Sequence, residues 1–226
     1  RDAKCFNFDG VDEYVNTTLT DIDLKVNDAI TIAAWIKLDD GRAPANQIIC
    51  GAETSSHAIR LFIYSTGEVG MTMKYGSTLN IGKTTAKLDD GEMADWAFVA
   101  GKYDGSLNND DDSHIATFTS LNGSNWENNL GQEAWSSPDF PNLSILGPTY
   151  PIWIGGNNDD GSFTRATAGK ISNLIIFNKA LSQAELSELY DGGMAFKNVS
   201  PNQIGGIIAW YRMGDNAPAY ATTDPQ

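Results

Sequence analysis

Cationic side chains are scarce in this chain: 15 Lys and Arg stand against 29 Asp and Glu over 226 residues, a formal charge of −14 at pH 7. A surface so negative gains nothing from polyanions, which argues against nucleic acid or an anionic membrane as the main partner. Histidine is scarcer still, His57 and His114 alone, with no adjacent Ser or Cys in a nucleophile elbow. Cysteine is limited to Cys5 and Cys50. Two cysteines define no disulfide framework, and no CxxC or Cys/His cluster points to zinc or redox work. The pair either bridges, in an oxidising compartment, or fills apolar space in neighbouring strands. No run reaches the ~18 apolar residues of a membrane span. The start at Arg1, with neither Met nor a signal peptide, reads as a processed or trimmed end.

What is present is a globule former. Hydrophobic residues make up 41% and charged residues only 19%, the balance of a folded domain rather than a disordered acidic chain. Short apolar runs recur at 6–15, 30–38, 48–51, 59–64, 69–73, 96–103, 114–120, 152–154, 170–177 and 207–212. Turn signals separate them, among them Thr66-Gly67, Asp104-Gly105 and Asp160-Gly161. The expected fold is all-β, two antiparallel sheets packed as a sandwich. In 59–64 and 69–73 the alternation predicts one buried face and one facing solvent or ligand. One helix is expected, near residues 182–190. Ser182-Gln-Ala-Glu185 is a capping box, Leu181 and Leu186 are placed for a hydrophobic staple, and Gly192 suits a left-handed terminator.

The stretch from Phe163 to Tyr190, a strand flowing into a capped helix, resembles the closing strand of laminin-G-like, concanavalin A-like lectin domains. Other segments extend the resemblance over about residues 5 to 192. Phe6-Asn-Phe8-Asp-Gly-Val-Asp-Glu-Tyr-Val15 is similar to the family's opening strand, and 29–38 to its Trp-bearing strand. Residues 94–105 (ADWAFVAGKYDG) and 152–156 (IWIGG) are similar to two further signatures. The resemblance implies a jelly roll, a domain over residues 1–212 followed by a linker-like tail at 213–226, and glycan recognition rather than turnover. It also implies that the opening strand lies beside 207–212 or beside 171–177.

Two constellations carry candidate chemistry. Calcium takes six to eight oxygens, and oxygen-rich segments supply Asp9 with Asp12, Asp110–Asp112, and Asn157, Asp159 and Asp160. The resemblance implies a calcium between the opening strand and a G-x-I-D-D motif. Here that motif reads Gly169-Lys-Ile-Ser172-Asn173, so only the Asn173 amide oxygen remains. For any single one of these loops a solvated turn is the better account. For glycans, aromatic platforms beside amides fit the C–H faces and hydroxyls of sugars. The long segment 123–151 offers Trp126, Trp135 and Tyr150 with Asn125, Asn128 and Gln132, and His57, Arg60 and Tyr75 are further polar candidates. The same aromatics fit a satellite core. Catalysis has less support: the E-x-D-x-(x)-E carboxylates of laminarinase-like glycosidases are absent.

The sequence reading is a non-enzymatic carbohydrate-binding module of a larger extracellular, cell-surface or virion-surface protein. Its expected partners are a glycan or surface glycoprotein and other domains or subunits, with calcium as the candidate cofactor. The alternatives are a structural or adhesive domain of a virion surface, fibre or secreted adhesin, and a polysaccharide-degrading enzyme.

Overall fold

A computed structural model describes residues 5–19, 23–24, 29–39, 45–75, 78–88, 96–106, 115–119, 127–128, 143–144, 150–191, 193 and 200–212. Two sheets form the body. The first contains β1 (Phe6–Asp9), β4 (Ala29–Leu38), β9 (Ala97–Asp104), β10 (Ile115–Thr119), β11 (Glu127–Asn128) and β16 (Ala168–Phe177), in the order β1-β16-β4-β9-β10-β11. A seventh strand, β17 (Ile207–Tyr211), also pairs with β16. The second sheet runs β15-β14-β5-β6-β7-β8. Its strands are β5 (Gln47–Glu53), β6 (His57–Ile63), β7 (Glu68–Tyr75), β8 (Thr78–Lys87), β14 (Asn157–Asp159) and β15 (Ser162–Thr164). Two short strands, β2 (Val15–Asn16) and β13 (Trp153–Ile154), join at β5, while β3 (Asp23–Leu24) and β12 (Leu143–Ser144) pair separately. Every ladder is antiparallel except that of β14 on β5.

Alternation places the main core between the sheets. Ile30, Ile32, Ala34 and Ile36 of β4 meet Ile59, Leu61, Met71 and Met73 of the second sheet, all at 0–1% exposure. The opposite face of β4 is buried too. Ala33 and Trp35 join Phe98, Phe118, Ile175 and Phe177 in a second apolar layer. The cover is helix α1 (Gln183–Asp191), which contributes Leu186 and Leu189 beside Leu181. A strand covered on both faces has no polar side to show, which accounts for the near-continuous apolar run AITIAAWI, broken only by Thr31. Phe8, Trp35, Phe98, Ile154, Ile176 and Phe177 are all buried as expected. Trp153 is buried as well, whereas Trp96 and Trp210 are only partly so.

Strand β16 holds a bulge. Its register on β4 steps from Ser172–Trp35 to Ile175–Ala33, one residue too many, with Asn173 at φ 49°. The extra residue changes the phase, so Ile171, Leu174 and Ile176 all reach the inter-sheet core although their numbers differ in parity. Asn173 accepts a hydrogen bond from Trp210 Nε1 at 3.2 Å. The same edge of β16 serves both ends of the domain. β1 pairs with residues 168–171 before the bulge and β17 with 174–177 after it.

Three expectations need adjusting. The Asn157–Gly161 segment is a hairpin rather than a loop, its two-residue turn at Asp160-Gly161 having φ of 51° and 86°, the signature of a primed turn. Strand β8 is present where no apolar run marks it. A second helix, α2 (Pro201–Ile204), accompanies the expected one. The capping box stands: Glu185 donates its amide to Ser182 Oγ at 3.3 Å and accepts the Ser182 amide at 2.9 Å. Gly192 and the 213–226 tail lie outside the described residues. Both thiols are free, and burial pushes Cys50 up to about 12.

Burial acts to raise the Glu185 carboxyl. The Lys179 ammonium and the Ser182 amide and hydroxyl outweigh it and hold the group below its ordinary value of 4.5. A depressed carboxylate adds stability that is present above its unfolded pKa and lost as pH falls through the folded one. Stability of the wild type should therefore fall more steeply below about pH 4.5 than that of Glu185→Gln. At neutral pH Ser182→Ala should cost about 1 kcal/mol and Leu186→Ala roughly 2–5 kcal/mol, read from urea midpoints at unchanged m-value.

Candidate functional site

The face of the second sheet turned away from the core carries a row of register partners. Asn157 (β14), Gly51 (β5), Arg60 (β6), Thr72 (β7) and Ile81 (β8) lie side by side across five strands. The next row includes Ile48, Phe62, Gly70 and Lys83. Two glycines make the relief. A methyl at Gly51 would stand 2.8 Å from Arg60 Cγ, and one at Gly70 would stand 2.5 Å from the Phe62 ring. Small residues there let the long side chains lie down across the sheet and leave a cleft above. Its volume is about 410 Å³, within the range of small-molecule pockets. Arg60, Phe62, Thr72 and Ile81 line it from the strands, and Tyr64, Ser65, Asn46 and Arg165 from their ends and the adjoining turns.

A buried ion pair anchors one side. Glu53 Oε2 accepts from Arg60 Nη1 at 2.7 Å, from Asn157 Nδ2 at 3.1 Å and from Arg165 Nη1 at 3.4 Å. The Arg60 and Glu53 side chains are 10% and 15% exposed, while that of Arg165 is 46% exposed. Burial draws the Arg60 guanidinium below the ordinary arginine range, opposed by Glu53 and reinforced by Arg165. Three buried polar atoms of the row have no protein partner: Arg60 Nε, Thr72 Oγ1 and Asn157 Oδ1. Buried polar atoms are paired in the great majority of cases. Arg60 and Thr72 line the cleft, whereas Asn157 is wholly buried and outside the lining. At the rim, Lys83 Nζ lies 5.1 Å from the centre of the Tyr64 ring, which packs 4.8 Å from Phe62.

Of the residues chosen from sequence for a glycan, Arg60 lines this cleft. Tyr150 instead packs, half-buried, against the main core. Asn128 lies in β11, paired with Ala116. Trp126, Trp135, Asn125 and Gln132 lie outside the described residues. Phe62, Tyr64 and Thr72 were foreshadowed by the alternation of β6 and β7. Arg165 and Ile81 had no local signal, since only the sheet register brings them to Arg60.

The described calcium candidates fall in separate places, and Asp110–Asp112 lie outside the described residues. Asp9 is exposed at the end of β1, where its Oδ1 accepts the Val11 amide at 2.8 Å, and Asp12 is exposed beyond it. Asn157 is wholly buried and turns its amide to Glu53. Asp159 and Asp160 end the β14 hairpin, and the Asn173 oxygen is engaged by Trp210. Among the described residues no three carboxylate, histidine or cysteine groups gather as cation ligands.

Two packed sheets with a helix over the back of one define a jelly-roll β-sandwich. The chain belongs to the concanavalin A-like lectin/glucanases superfamily, whose Laminin_G_3 family model matches residues 9–187. No curated protein matches the chain in sequence. Among solved structures it is similar to the native heptameric SAP-like pentraxin of Limulus polyphemus, with 17% identity and a TM-score of 0.53 over 84% of this chain and 82% of that one. It is also similar to the CBM40 of the Ruminococcus gnavus IT-sialidase bound to α2,3-sialyllactose, with 16% identity and a TM-score of 0.56 over 82% and 95%. A third likeness is to a Bacteroides ovatus protein described as a candidate carbohydrate binder, with 18% identity and a TM-score of 0.56 over 93% and 51%. At these identities the likeness is one of fold.

The Arg60–Glu53 pair generates a test of its own. Glu53→Gln strands a buried guanidinium and should lower stability by roughly 3 kcal/mol, whereas the apolar pair Glu53→Leu/Arg60→Met should recover much of the loss. Urea unfolding of both variants measures this.

Proposed function

We propose that the protein is a carbohydrate-recognition module that binds its glycan in the cleft over β5–β8. The observation that carries this reading is the placing of Arg60, Arg165, Thr72, Ser65 and Asn46 beside the aromatic Phe62 and Tyr64 in a cleft of about 410 Å³. A cleft of that size accommodates one or two sugar rings, whose hydroxyls require donors and acceptors at fixed places. The superfamily supports the reading, as do relatives in fold named for carbohydrate binding. Recognition rather than hydrolysis is favoured because the described lining supplies no Asp, Glu or His to act as general acid or base. Placement at a cell, virion or matrix surface, within a larger assembly, is part of the same proposal.

The segment 123–151 is the competing location for the glycan, with Trp126 and Trp135 as its platforms. A glycan array followed by calorimetry on the best binder separates the two. Ile81→Trp fills the cleft while keeping a residue suited to strands. It should weaken binding at least tenfold, about 1.4 kcal/mol, with Trp126→Ala and Trp135→Ala near wild type. The opposite pattern moves the site to the segment. No saturable binding to any glycan removes the reading in favour of a structural or adhesive domain.

A calcium requirement is a separate proposal. A cation bound only by the folded protein raises the melting temperature. Metal-free protein should melt higher on adding calcium if the candidate oxygens bind it, and identical curves with calcium and with chelator remove the idea.

A further inference from the structure

The cleft is charged with one sign, and it is the sign the protein has least of. Arg60 and Arg165 are the only charged residues among its ten described lining residues. Lys83 adds a third cation at the rim through its contact with Tyr64. Two carboxylates act on Arg60, Glu53 from β5 and Asp159 from β14, and both stand outside the lining. Among these described groups three cations stand against two carboxylates, in a chain whose total is −14. Burying a guanidinium is costly, and a neutral sugar would not need one.

Donors also converge on the cleft. Arg60 lines it while donating Nη1 to Glu53. Arg165 touches the same carboxylate oxygen at the longer distance of 3.4 Å and keeps a half-exposed side chain. Guanidinium forks match carboxylates in shape as well as charge. Thr72, Ser65 and Asn46 surround them with the smaller polar groups that suit ring hydroxyls.

We propose that the cleft binds an acidic saccharide, its carboxylate held by Arg165 and Arg60 and its hydroxyls by the polar residues around them. This rests on the glycan-recognition reading above and narrows its ligand class. Arg165 is the residue to vary, because its exposure lets it change without disturbing the core.

The test titrates the full chain with α2,3-sialyllactose and with tri-galacturonate, each as free acid and as methyl ester, and with a sulfated and a neutral trisaccharide. The expected result is that at least one free acid binds tenfold or more tightly than its ester. That advantage should shrink in 0.5 M salt, as screening of a partly exposed ion pair requires. Arg165→Gln should abolish it and Arg165→Lys retain part of it, with melting temperatures close to wild type. Equal binding of acid and ester overturns the acidic-ligand inference and leaves glycan recognition standing. Binding of the sulfated sugar alone overturns the choice of carboxylate. Binding of none of the array's glycans, charged or neutral, removes both readings.

Discussion

One extra residue in β16 sets the phase of the first sheet. β16 is the strand on which β4, β1 and β17 all pair, so whatever face it shows to the core is imposed on its neighbours. A regular strand with Ile171 inward would also turn Phe177 inward and send Leu174 and Ile176 to the back. The bulge at Asn173 reverses this, placing Leu174 and Ile176 between the sheets and Ile175 and Phe177 under the helix. A slip of one residue flips every later side chain. The bulge therefore fixes which apolar residues belong to which of the two layers. The hydrogen bond from Trp210 to Asn173 ties the last described strand to that same residue.

The fold was legible because its signals are local. Alternation in β6 and β7, the near-continuous apolar run of β4 and the Ser182–Glu185 box each sit within ten residues or so and report directly on local geometry. Asp160-Gly161 was equally local as a turn, yet the oxygen-rich residues before it read as a loop. Their burial depends on β5, which is remote in sequence. The site was legible only in part for the same reason. Arg60 was in view on an alternating strand, but Glu53 and Arg165 are 112 residues apart and meet through the pairing of β14 with β5. No window of sequence contains that encounter.

Charge is distributed against the grain of the composition. A net charge of −14 repels polyanions at long range. The cleft pairs a largely buried arginine, Arg60, with the half-exposed Arg165, so solvent screens the first less than the second. Gly51 and Gly70 belong to this arrangement although they carry no charge. Without their bareness the Arg60 stem and Phe62 ring would have to stand up from the sheet, and the cleft would close.

Strand β8 ends the second sheet among the described residues. Its sequence, TLNIGKTTAK, has too few apolar residues to announce a strand. A sheet margin built this way is a poor template for another chain. Its threonines and glycine make a weak apolar stripe, and Lys83 and Lys87 place charge where an incoming strand would have to dock. The scarcity of apolar residues that leaves β8 without a strand signal thus also disfavours edge-to-edge growth of the second sheet.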